Sequence, residues 1–144
     1  MRLTTKGRYA VMAVLEIASR RPETPITLNE ISIKQDISIN YLEQIFAKLK
    51  MANIVKSVKG PRGGYIINEK LNNIKITNII DAVDENIEMT RCERKSMTGC
   101  MVNKMQCNSH HLWSGLTSHI RSYFDAISIA DMLKSNEDKT DNVA

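Results

Sequence analysis

Hydrophobic positions recur at three- and four-residue steps along several stretches of this chain, and each stretch is bounded by residues that start or stop helices. Tyr9, Met12, Ala13, Leu15 and Ile17, with Glu16 among them, give residues 5–20 a broad apolar face. Arg20-Arg21-Pro22 then closes the helix with positive charge near its C-terminus. Thr27-Leu28-Asn29-Glu30 has capping-box spacing: the hydroxyl takes the free amide three residues on, and the carboxylate reaches back. A short helix with Leu28, Ile31 and Ile33 follows, and Gln35-Asp36-Ile37 breaks it as a turn. Ser38 is placed to cap the next helix, in which Leu42, Ile45, Phe46 and Leu49 form one buried face. The opposite face carries Asn40, Tyr41, Glu43, Gln44, Ala47, Lys48 and Lys50. Two β-prone runs, Ile54–Lys59 and Tyr65–Ile67, flank Gly60-Pro61-Arg62-Gly63-Gly64 and predict a hairpin.

The second half is less regular. Leu71–Ile76 reads as a connector, and Thr77 as the cap of a helix over Asn78–Asp84. Residues 86–111 lose all periodicity, and a loop of that length in a compact domain is usually functional or disordered. Helical spacing returns over His111–Ile127, where Leu112, Leu116, Ile120 and Phe124 step by four beside Trp113, Tyr123 and Ile127. So wide a stripe predicts packing on a partner helix in a two-fold dimer, or back on the first helix. Ser128-Ile129-Ala130-Asp131 caps one more short helix, and the polar residues after it predict a frayed tail.

A short helix, a turn, a polar-faced helix and a basic hairpin make a winged helix–turn–helix, whose second helix enters the major groove of DNA. The fold class expected is therefore mainly α with a small β-wing, plus a C-terminal dimerisation helix. The expected organisation is a DNA-binding domain over 1–85, a ligand loop over 86–111, a dimerisation helix and short helix over 111–134, and a disordered tail over 135–144.

Charge supports this reading. The net charge of +4 hides an asymmetry: residues 1–62 hold eleven Lys/Arg against five Asp/Glu, and residues 63–144 hold nine against eleven. Positive charge thus sits with the helix–turn–helix, as phosphate binding requires, although a solvated basic face is the plainer explanation. Arg2, Lys6 and Arg8 lie where cations disfavour a helix dipole, and a DNA phosphate or solvent counterions would offset that cost. At 144 residues the chain is long enough for a core without staples. No apolar run reaches the ~20 residues of a membrane span. Met1–Lys6 has a charge but no apolar core behind it, so no signal peptide and a cytoplasmic location are expected.

All three cysteines fall in the aperiodic window: Cys92, Cys100 and Cys107, with His110 three residues after the last. Clustered cysteines in a cytosolic chain favour metal or redox chemistry over structural disulfides. Three thiolates and an imidazole fill a four-ligand site, which suits either zinc or a 2Fe–2S cluster. The wide spacings lack the C-x2-4-C knuckle of structural zinc sites, and reduced, unligated thiols are the plain alternative. His111 competes with His110 for the fourth place. A Cys107–His nucleophile pair is a further reading, but no oxyanion or orienting signature accompanies it.

At these residues the chain resembles the IscR-type branch of winged-helix transcriptional regulators. The resemblance rests on Met1–Val11, Ile37–Phe46, Val58–Tyr65, Ala82–Glu85, Thr90-Arg91-Cys92 and Cys107–Trp113. It implies a homodimer that binds double-stranded DNA at promoter operators and holds a 2Fe–2S cluster through Cys92, Cys100, Cys107 and His110. It implies that cluster occupancy governs repression of iron–sulfur assembly genes, and that the assembly machinery supplies the cluster. It makes Glu43 a selectivity residue, because a carboxylate repels phosphate and accepts only from cytosine among base edges. It sets Asn40 and Gln44 facing bases, and Lys59, Gly60, Pro61 and Arg62 at the minor groove or backbone. With Arg2, Lys6, Arg8, Thr27, Ser38, Tyr41 and Lys48 these complete the expected DNA-binding set. The chain departs from the pattern in a longer Cys92–Cys100 interval, and in Asn40, Lys59 and Arg62 where Ser, Arg and Gly are usual.

The function expected is a repressor whose promoter binding depends on the cluster. The alternatives are a zinc- or thiol-redox-responsive factor of the same fold, and a metal carrier or scaffold that keeps a winged-helix shape. No catalytic constellation appears, so an enzyme is not expected.

Overall fold

The computed structural model describes residues 5–85, 87, 99 and 101–141. Its elements run α1 (Thr5–Ala18), α2 (Leu28–Gln35), α3 (Ile39–Met51), β1 (Val55–Val58), β2 (Gly64–Ile67), α4 (Ile76–Ala82), α5 (His110–Ala126) and α6 (Ile129–Asp141).

Local chemistry sets the first half. Thr27 completes the capping box of α2: Glu30 N–H donates to the Thr27 hydroxyl at 3.2 Å, and Glu30 accepts from Thr27 N–H at 2.8 Å. Asp36 ends the helix in the left-handed region at φ 53°, a conformation that Asp tolerates better than most residues. Ser38 caps α3 by accepting from Tyr41 N–H at 3.3 Å. The wing is a two-stranded antiparallel hairpin, with Val55 opposite Ile67 and Val58 opposite Gly64. Ile26 adds a bridge to Tyr65, which ties the wing to the segment before α2.

The core lies where α1, α3, α4 and β1 meet. Phe46, Leu42, Ile45, Leu49, Val14, Ile79 and Ile80 are all fully buried there. Phe46 and Tyr65 pack edge-to-face at 4.7 Å, so the recognition-type helix and the wing share one aromatic contact. Glu16 sits on the inward stripe of α1 for a polar reason: its carboxylate takes Lys34 Nζ at 2.6 Å and Gln35 Nε2 at 3.1 Å, locking α2 to α1.

Three local expectations change. Helix α1 ends at Ala18, two residues short of the expected 20. Thr77 does not cap α4; it lies inside the helix, buried, and its hydroxyl donates to Asp125 Oδ1 of α5 at 2.8 Å. The cap is supplied instead by Asn78, which accepts Lys75 N–H at 2.7 Å. Helix α6 is not short: it continues to Asp141, through most of the stretch expected to be tail. Ser128 and Asp131 start it by exchanging bonds, with Ser128 N–H on Asp131 at 2.9 Å and Asp131 N–H on Ser128 at 3.2 Å.

Helix α5 turns one apolar edge inward. Ile120, Phe124 and Ile127 pack on the core, whereas Leu112, Leu116 and Tyr123 are exposed at 63%, 37% and 66%. The inward edge rests on α4, and α6 is the element that returns to α1. Arg121 clasps α4 with a bidentate pair on Asp81, at 2.9 and 2.8 Å. Among the described residues no helix is long and apolar enough to cross a membrane.

Candidate nucleic-acid interface and ligand loop

The burial of Leu42, Ile45, Phe46 and Leu49 fixes the rotation of α3. Asn40, Glu43 and Gln44 are consequently exposed on one outer face, in the register of a helix that reads a groove. Tyr41 sits at the edge of that face, half-buried, its ring 5.7 Å from Tyr9 and near perpendicular to it. Burial, with Glu85 and Tyr9 nearby, holds its phenol pKa above the ordinary value. Thr27 and Ser38 are exposed, but their hydroxyls are engaged as helix caps.

The wing tip, Lys59, Gly60, Pro61 and Arg62, is exposed throughout. Gly60 adopts φ +116° with open space around it, and its carbonyl accepts Gly63 N–H at 2.9 Å. Gly64 adopts φ +152°, and a Cβ there would fall 2.4 Å from the Ile26 carbonyl oxygen. The bridge from Ile26 to the wing thus requires glycine at this position.

The start of α1 is the third part. Arg2 lies outside the described residues. Lys6 is half-buried beside Lys48 of α3, and that neighbouring ammonium lowers its pKa. Lys48 is hydrogen-bonded to the Asp84 carboxylate, which raises the Lys48 pKa and lowers that of Asp84. Arg8 lines a groove of about 630 Å³ that α1 forms with α4, α5 and α6. In the sequence Asp84 reads as a helix end and Glu85 carries only a resemblance, yet Asp84 joins Lys48 of α3 and Glu85 joins Gly7 of α1. Glu85 is buried, and its Oε2 accepts Gly7 N–H at 3.1 Å across 78 positions of sequence. Its signal was faint, because an acid at a helix end is ordinarily solvated.

Of the four candidate ligands, Cys92 and Cys100 lie outside the described residues. Cys107 lies three residues before His110, the first residue of α5. His110 N–H donates to the Cys107 carbonyl at 3.0 Å, and the His110 side chain is 8% exposed whereas His111 is exposed. The two imidazoles pack edge-to-face at 5.5 Å. The Cys107 thiol lies 3.3 Å from the Ser109 hydroxyl, which also accepts Trp113 Nε1–H at 3.1 Å. Hydrogen bonds from Ser109, hydroxyl first and backbone second, hold the Cys107 pKa below its ordinary value and favour the thiolate. A soft thiolate and an imidazole three residues apart suit zinc or an iron–sulfur cluster. Among the described residues no three acidic, cysteine or histidine side chains converge as a metal site.

Residues 3–135 match the family model described as Rrf2, iron-dependent transcriptional regulator. The chain belongs to the Rrf2 family. It is a DNA-binding transcriptional regulator by that membership and by its winged helix–turn–helix. Among Rrf2-type relatives, it is 44% identical to the HTH-type transcriptional regulator IscR of Aliivibrio salmonicida over 95% of this chain and 80% of that one. It is 42% identical to IscR of Xenorhabdus nematophila, over 95% and 82% of the two chains. The solved structure of T. potens IscR superposes with a TM-score of 0.76 at 33% identity, covering 96% of this chain and 90% of that one. CymR of B. subtilis, described as a global cysteine regulator, superposes at 0.77 with 24% identity, over 94% and 98% of the chains, and shares the Rrf2 fold. These relatives are regulators rather than enzymes.

Proposed function

We propose that this chain is a homodimeric cytoplasmic repressor whose promoter binding is governed by a 2Fe–2S cluster, and that it controls genes for iron–sulfur cluster assembly. The ligands are Cys92, Cys100, Cys107 and His110. The observation that carries the reading is Cys107, whose thiol pKa is lowered by Ser109, standing three residues before a buried His110 at the first turn of the helix that α4 holds. The IscR relatives support the same assignment.

A bound cluster supplies a labile, redox-sensitive tie across the ligand loop. The chain does the rest. Ser109 holds the Cys107 sulfur and the Trp113 indole together at the start of α5. Arg121 and Asp125 hold α5 against Asp81 and Thr77 of α4. Glu85, just past α4, holds the first turn of α1. Strain or order at the ligand loop therefore meets a continuous set of contacts to the DNA-binding half. A coupling of roughly 1–3 kcal/mol would suffice to change promoter occupancy substantially. On the DNA side, Asn40 and Gln44 read bases, Glu43 vetoes sites that lack a matching donor, and Lys59 to Arg62 follow the backbone or minor groove. Lys6, Arg8 and Lys48, with Arg2, Thr27, Ser38 and Tyr41, supply or position backbone contacts. The exposed Leu112, Leu116 and Tyr123 of α5 form the dimer seam.

The test is anaerobic purification followed by a visible absorption spectrum and counts of iron, sulfide and zinc. The expected result is a coloured protein with about two iron and two sulfide per chain, lost in Cys92→Ala, together with promoter binding that differs between loaded and cluster-free protein. A colourless protein with about one zinc would replace this reading with a zinc- or thiol-responsive regulator.

A further inference from the structure

A lysine of the recognition helix meets a carboxylate on the surface. Lys48 of α3 is hydrogen-bonded to Asp84, and Lys6 of α1 stands beside Lys48. Neighbouring ammonium groups of this kind also receive a DNA phosphate. Asp84 stands just beyond α4 in the left-handed region, at φ 53°, with its amide on Asp81 O at 3.1 Å. Its neighbour Glu85 is anchored on Gly7 N–H. The acid is therefore held in place by backbone, although its side chain is 75% exposed.

We infer that Asp84 is an internal competitor for DNA phosphate: it occupies Lys48, flanked by Lys6, and holds DNA affinity below what the lysines alone would give. The inference rests on DNA binding by this face and needs no cluster. Binding requires Lys48 to leave Asp84 or to be shared with a phosphate, and either costs the pair. Exposed pairs are worth up to about fivefold in an equilibrium constant, which bounds the effect.

The experiment is fluorescence anisotropy of the full chain on a labelled mixed-sequence duplex of about 30 base pairs, titrated over about 50–200 mM salt. Asp84→Asn keeps an acceptor and a residue that tolerates φ 53°, and equal thermal melting checks that it folds like the parent. Asp84→Asn is expected to tighten binding about three- to fivefold. Lys48→Met is expected to weaken binding and reduce the salt slope by about 0.9. The double variant is expected to bind like Lys48→Met, because the gain acts through that lysine. No gain in Asp84→Asn would overturn the inference. So would an equal gain with and without Lys48, which is the signature of net charge alone. A parent chain without salt-dependent duplex binding would overturn the DNA-binding premise and the inference with it.

Discussion

Glu85 offers the sharpest test of how the two halves of the molecule are joined. It lies 8% exposed, and its carboxylate accepts the Gly7 amide in the first turn of α1, where backbone amides are in need of acceptors. A hydrogen bond to a charged group contributes roughly 1.5–3 kcal/mol. The anion at a helix N-terminus adds about 0.3–1 kcal/mol. Glu85→Ala removes both and leaves the amide buried beside a void, so the expected loss is about 2–4 kcal/mol. Glu85→Gln keeps an acceptor and loses the charge, and should cost about half as much. Urea unfolding followed by circular dichroism reads the change as a lower midpoint at constant slope. Trp113 fluorescence follows α5 in the same titration. Coincident curves would show that α1, α4 and α5 unfold as one unit. A Glu85→Ala midpoint equivalent to a loss below about 0.5 kcal/mol would refute this account, since that is the scatter of an ordinary surface change.

Other outcomes follow from the same geometry. Gly64→Ala should destabilise the wing by at least about 2 kcal/mol, because its Cβ would sit 2.4 Å from a backbone oxygen; amide exchange of Tyr65 and Ile26 would report the loss. Thr27→Ala should cost about 1 kcal/mol in thermal or urea unfolding by removing the cap of α2. Glu30 has its pKa lowered from 4.5, first by the Thr27 amide and then by the Thr27 hydroxyl and Arg20. Its contribution is therefore present above 4.5 and is lost as pH falls through the lower folded value. Acid unfolding curves of Glu30→Gln should accordingly show less loss in that window than the parent. Glu43→Ala should leave folding unchanged and admit a wider set of duplexes in a binding selection; an unchanged set would remove Glu43 from the readout.

Where local chemistry dominates, the chain is readable by eye. The Thr27–Glu30 box, the Ser38 cap, the Asp36 stop and the Gly-Pro turn each involve residues three or four apart, and each forms as expected. The α3 stripe is equally legible, because one buried face at helical spacing leaves a single choice of outer face. Thr77 reads as a cap because a threonine ahead of a helical stretch is ordinarily one. Here Asp125, 48 positions away, offers its hydroxyl a better partner, and Asn78 takes over the cap. The continuation of α6 to Asp141 is hidden in the sequence for the opposite reason: polar residues with good helix propensity look like tail unless an inward edge is seen. Met132 and Leu133 supply that edge by packing on the core.

By itself, then, the sequence determined the elements of the first half, the caps of α2 and α3, the outward face of α3, the basic first half and the candidate ligands. These depend on neighbours in the chain, on periodicity and on summed charge. Only the tertiary structure decided which partners the acids after α4 meet. Asp84 on Lys48 and Glu85 on Gly7 join residues 36 and 78 positions apart. It likewise decided that α5 leans on α4 through Arg121 and Asp81, leaving Leu112, Leu116 and Tyr123 outward. The physical reason is common to all of these. A charge or an apolar stripe has the same pattern whether it meets water, another helix or a second molecule, and only the packed chain selects its partner.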